Sequence, residues 1–111
     1  MKMNKELMGA STTILLLSVL AKEPSYGYEI IRRINTQADG TFLWQEGTLY
    51  PVLHKLEKEE LVRAQWQQAD TGRERKYYYI TAKGREALSA QVEQWDRVNG
   101  LIVRLSGALN G

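Results

Sequence analysis

The chain has 111 residues, enough for one hydrophobic core and too few for two. Its 43% hydrophobic and 25% charged residues exclude a disordered or collagen-like chain. The lack of cysteine excludes disulfides, thiolate metal sites and cysteine nucleophiles, and the lone His54 excludes a histidine-rich zinc site within one chain. A net charge of +2 does not by itself imply nucleic acid, so such a partner has to be argued from where the cations sit.

The longest apolar stretch, Ile14 to Ala21, is interrupted by Ser18 and falls short of the ~20 residues that span a bilayer. Lys2, Lys5 and the leucines that follow resemble the start of a signal peptide. Against that, Glu6 is acidic and Val19-Leu20-Ala21 offers no small-x-small cleavage site. A cytoplasmic chain with no membrane partner is expected.

Met3 to Lys22 reads as a helix with apolar residues on more than one side, which implies burial on several faces. Glu23-Pro24-Ser25 stops it. Ser25 is then expected to cap a second helix carrying Tyr28, Ile31 and Ile34, ending near Asp39-Gly40. Thr41 to Gln45 can add a short strand. A third helix, from about Gly47 to Glu60, has the stripe Leu49, Val52, Leu53 and Leu56, with Pro51 in its first turns. The period then changes to two. Leu61–Trp66 and Arg75–Ile80 read as strands of a hairpin around Asp70-Thr71-Gly72. Thr81 caps a last helix expected from Ala82 to about Leu109. Its stripe of Leu88, Val92, Trp95, Val98, Ile102, Leu105 and Leu109 is close to heptad spacing.

Three helices and a hairpin are the order of a winged helix-turn-helix. The expected class is α+β, mainly α: a DNA-binding domain over residues 4–81 and a dimerisation helix over 82–109. In this arrangement the third helix enters the major groove and the hairpin touches backbone beside it. The polar side of that helix carries Thr48, Tyr50, His54, Lys55 and Lys58, and the hairpin tip carries Arg73, Arg75 and Lys76. Each of these groups, taken alone, also reads as solvated surface charge. A winged helix used only for protein contacts is the competing reading. His54-x-x-Glu57 supplies only part of a metal site, and no nucleophile or phosphate-loop motif occurs. No enzyme activity, cofactor or metal is therefore expected.

The run from Glu46 to Glu57, EGTLYPVLHKLE, resembles the recognition-helix signature of the PadR family of transcriptional regulators. Tyr26-Gly27-Tyr28-Glu29-Ile30, then Gly72-Arg73-Glu74-Arg75-Lys76-Tyr77-Tyr78, then Ile80-Thr81 with Gly84, resemble its other motifs in order. Glu60 departs from the pattern, which commonly has Gly there. The resemblance implies a homodimer on a pseudo-palindromic operator, usually a repressor. The last stripe supports a dimer independently, being longer than one small domain can cover.

Gln94-Trp95-Asp96-Arg97-Val98 and Thr12 to Ser18 are similar to the matching segments of short, multidrug-binding members. That resemblance implies planar aromatic compounds stacked between the two Trp95 indoles of a dimer. Ile14, Leu17, Ser18, Val92, Asp96 and Asn99 would line the pore. The acid expected near position 99 is Asn here. From spacing alone, Trp95 also reads as interface packing. A phenolic-acid response is the alternative within the family.

Overall fold

The computed structural model describes residues 4–40 and 44–107. The elements are α1 (Lys5–Lys22), β1 (Ser25–Tyr26), α2 (Gly27–Ala38), α3 (Glu46–Lys58), β2 (Val62–Gln68), β3 (Glu74–Ile80) and α4 (Ala82–Leu105). Most of the expected strand at Thr41–Gln45 and the expected helix end at Leu109 lie outside the described residues. Trp44 and Gln45 belong to no strand.

Helix α1 starts where the Asn4 side chain accepts the Glu6 N–H at 2.7 Å. It packs against α2, α3, β3 and α4, which is why its sequence is apolar nearly all round. Leu16, Leu17 and Leu20 are buried in the core with Ile30, Ile34, Trp44, Leu49, Leu53, Leu56, Leu61, Val62 and Tyr78. The Asn35 side chain clamps the Trp44 backbone, accepting its N–H at 2.6 Å and donating to its carbonyl at 3.0 Å. That pair ties the end of α2 to the start of α3.

Ser25 does not cap α2. Glu23, ahead of Pro24, is extended (φ −164°, ψ 152°), so the chain leaves α1 as a strand. Ser25 and Tyr26 form β1, pairing antiparallel with Tyr78 and Tyr77. The sheet order is β1-β3-β2. The N-cap position falls to Tyr26, whose N–H donates to the Glu29 carboxylate at 3.4 Å. The buried Ser25 hydroxyl accepts from the Arg33 guanidinium at 2.6 Å, and Arg33 also donates to the Val19 carbonyl at 3.1 Å.

The β2–β3 register runs from Val62 opposite Ile80 to Gln68 opposite Glu74. Ala69 to Arg73 close the hairpin, with Gly72 at φ +84° and its N–H on the Ala69 carbonyl at 2.8 Å. Only glycine takes that conformation without steric cost.

Helix α3 ends in a paired-bond turn: Leu61 N–H donates to the Leu56 carbonyl at 2.9 Å and Glu60 N–H to Glu57 at 3.0 Å. Glu60 therefore sits at φ +64°, a left-handed conformation that glycine takes at lower cost. The Thr81 hydroxyl accepts the Gly84 N–H at 2.9 Å and so caps α4. A Cβ on Gly84 would fall on the Leu61 carbonyl oxygen and within 2.7 Å of Ile80 Cγ1.

Two substitutions test this joint by thermal unfolding. Glu60→Gly relieves a left-handed L-residue and is expected to raise stability by about 0.5–1 kcal/mol, after allowing for glycine's larger unfolded-state entropy. Gly84→Ala forces backbone apart and is expected to cost about 1–3 kcal/mol. A Glu60→Gly chain that melts below wild type would contradict the strain assigned to Glu60.

Candidate nucleic-acid interface

The geometry of α3 follows from its period. Leu49, Leu53 and Leu56 are fully buried, so Thr48, His54, Lys55 and Lys58 are turned outward and exposed. Tyr50 leans toward α2, where its hydroxyl lies 2.5 Å from the place a Cβ on Gly27 would occupy. Gly27 thus has to be small for Tyr50 to bridge the two helices. Lys55 Nζ lies 4.0 Å from the Glu59 carboxylate, with both side chains largely exposed. Such a pair is weak, and the ammonium can exchange partners at little cost.

The three cations expected at the hairpin tip, Arg73, Arg75 and Lys76, all line one cleft beside α3. The two-residue period of β3 turns Arg75 and Lys76 to opposite faces of the strand. Arg73 lies in the exposed loop. Arg75 stacks on Tyr26, its guanidinium carbon 4.4 Å from the ring centre. Lys76 points the other way, toward α3, with its ammonium 3.9 Å from the Glu57 carboxylate. The tyrosines divide as the alternation implies. Tyr78 is buried in the core, while Tyr77 meets Tyr26 edge-on at 5.5 Å and Tyr79 lies beneath Arg63 and accepts from the Gln67 amide.

Between the start of α2, helix α3 and the hairpin runs an open cleft of about 560 Å³. Tyr28, Tyr50, Trp66, Arg73 and Lys76 are among its walls. Tyr28 and Trp66 were not singled out as site residues from the sequence. The available signal was the β2–β3 alternation, which sets Trp66 directly across from Lys76.

The residues expected to line a ligand pore are divided by the structure. Val92, Trp95, Asp96 and Asn99 share one face of α4 at helical spacing, with Trp95 half-buried and the other three exposed. Ile14 is half-buried on α1. Leu17 is fully buried inside the protomer core, so its side chain presents no surface to a pore in this chain. Ser18 lines a separate groove walled by α1 and α2 residues alone, and its hydroxyl donates to the Ile14 carbonyl at 2.6 Å. Among the described residues no group of three acidic or histidine side chains could hold a metal, and no helix is long and apolar enough to cross a membrane.

The Tyr78 hydroxyl is pushed up to about 12, first by burial and then by the nearby Glu57 carboxylate and Tyr50. An unfolded tyrosine ionises near 10. Tyr78 therefore stabilises the fold in full below about pH 10, and that contribution is lost as pH rises toward about 12. A tyrosinate absorbance titration is expected to show a late step that Tyr78→Phe removes. An unchanged titration curve would contradict the assignment.

The Transcriptional regulator PadR-like family model matches residues 16–90. An uncharacterized protein of Lysinibacillus sphaericus is 38% identical over 96 residues, covering 86% of this chain and 87% of that one. The transcriptional regulator YqjI of Escherichia coli is 25% identical over 85 residues, which are 77% of this chain but 39% of YqjI. Among solved structures, a PadR-like transcriptional regulator from Bacillus cereus superposes with a TM-score of 0.83 at 30% identity, covering 96% of this chain and 99% of that one. A transcriptional regulator from Clostridium thermocellum gives 0.83 at 27% identity, covering 92% and 96%. With the winged helix-turn-helix in place and the family model matched over most of its length, this chain belongs to the PadR-like family of transcriptional regulators, and is a regulator rather than an enzyme.

Proposed function

We propose that the chain is a cytoplasmic, homodimeric repressor that binds double-stranded DNA at a pseudo-palindromic operator and is released by a planar aromatic compound. The observation that carries this reading is the cleft flanked by α3 on one side and by Arg73 and Lys76 on the other. Thr48, Tyr50 and His54 face the major groove in this reading, Lys55, Arg73 and Lys76 hold adjacent phosphates, and Arg75, on the same cleft, also steadies the hairpin through Tyr26.

The dimer is supported by what one copy leaves in water. Val98, Leu101, Ile102 and Leu105 of α4 are between 48% and 76% exposed. Four large apolar side chains on one helical face are covered when a second copy packs there. Residues 4–81 then read DNA and residues 82–109 join the two copies, holding the recognition helices about 34 Å apart.

The effector reading rests on the α4 face of Val92, Trp95, Asp96 and Asn99, with the half-buried Ile14 on α1, a helix that packs against α4. Paired about the two-fold axis, two Trp95 indoles make a slot for a flat ring, attractive through stacking and dispersion. Asp96 supplies the negative charge that Asn99 lacks. The ligand shifts DNA affinity only by its different affinity for the two arrangements of the dimer.

Electrophoretic mobility and anisotropy assays test both parts. Lys55→Ala and Arg73→Ala are each expected to weaken duplex binding about three- to tenfold, on any sequence, as lost phosphate contacts do. Trp95→Ala is expected to abolish binding of a planar dye while leaving duplex binding near wild type. A dye bound equally by wild type and Trp95→Ala would sink the pore, and duplex affinity indifferent to both cation substitutions would sink the DNA reading.

A further inference from the structure

Two large aromatic side chains stand in water without a structural use: Tyr28 at the start of α2, 66% exposed, and Trp66 on β2, 63% exposed. Both line the cleft beside α3, Tyr28 from α2 and Trp66 from β2. The register fixes the place of Trp66. It sits opposite Lys76, so both project from the sheet face that meets α3 through Tyr78 and the Lys76–Glu57 pair. A duplex touched by Tyr50 on one side and by Arg73 and Lys76 on the other has to cover the indole between them.

The chemistry of the walls says what such a surface accepts. Aromatic faces and cations line it together: Tyr28 and Tyr50 on the helical side, Trp66 with Arg73, Arg75 and Lys76 on the hairpin. Glu46 and Glu74 also border the cleft and repel anions from their own stretches of it. A sugar–phosphate strand matches that pattern, presenting apolar deoxyribose edges and phosphates by turns. A free phosphate would leave the aromatic walls in water.

We propose that this cleft seats the backbone of one DNA strand. The Trp66 indole packs on a deoxyribose and its Nε1–H donates to a phosphate oxygen, while the Tyr28 hydroxyl donates to a phosphate across the cleft. The contact positions the duplex without reading its sequence. It rests on the DNA-binding reading above and extends it to two residues that reading does not use.

The chain has three tryptophans, so an ¹⁵N–¹H spectrum of the full-length protein carries three indole signals, and a Trp66→Phe sample assigns one of them. The probe is a mixed-sequence duplex of about 30 base pairs at about 50 mM salt, where backbone contacts dominate binding. The Trp66 indole signal is expected to shift as duplex is added. Trp66→Ala is expected to weaken affinity about tenfold and Trp66→Phe about threefold, by the same factors on a second, unrelated duplex. Because the side chain is exposed, both variants are expected to melt with wild type. Duplex binding with a stationary Trp66 signal and a wild-type affinity for Trp66→Ala would overturn the inference and leave the DNA reading standing. Failure of the wild-type chain to bind any duplex would overturn both.

Discussion

The Leu61 carbonyl is the point from which the rest of the molecule takes its directions. It accepts the Thr81 N–H at 3.0 Å, the Thr81 hydroxyl donates to the adjoining Glu60 carbonyl at 2.7 Å, and the Leu61 N–H closes the end of α3. Gly84 packs against the same oxygen so closely that no side chain fits. The end of α3, the start of β2, the end of β3 and the start of α4 are thereby joined within a few ångströms. A buried backbone acceptor left without its donor costs about 1–3 kcal/mol, so the joint resists opening. The start of α4 is tied there to the end of α3, and α1 packs against α4 as well. In the proposed regulator, a ligand that changes how two α4 helices pack moves α3 through this joint.

Charge is handled in the same economical way. The chain is only +2 overall, yet two of the cations that serve the DNA reading are held beside carboxylates: Lys55 by Glu59 at 4.0 Å and Lys76 by Glu57 at 3.9 Å. Long, partly exposed pairs of this kind contribute little to stability. They keep the side chains extended near the cleft without holding them strongly, and a phosphate can take the place of the carboxylate. Glu57 has a second effect, since together with burial it keeps the Tyr78 proton in place beneath the hairpin.

Much of this was legible in the sequence because it rests on period. The Leu49, Leu53 and Leu56 stripe gave the orientation of α3 and hence which side chains point outward. The all-round apolar α1 foretold a helix packed on every side, and Gly72 marked the hairpin turn. Glu60 stood out as a departure, and the left-handed backbone accounts for it. What was not legible depended on partners far along the chain. Strand β1 is two residues long, too short for any period, and exists only because β3 offers its edge. Leu17 entered the pore set through the family resemblance, and the all-round apolar sequence of α1 does not tell which of its sides the core takes. Arg75 and Lys76 face opposite ways as neighbours in a strand do, and the same alternation sets Trp66 beside Lys76, which shows only once the strands are paired.

The central claim is that the cleft between α3 and the hairpin binds a duplex through its phosphates. The most direct test is the salt dependence of wild-type affinity for a duplex. Lys55, Arg73 and Lys76 in each of two copies, six phosphate contacts, predict a log–log slope of about −5, from counterion release. A slope near zero, or no duplex binding at low salt, would contradict the account.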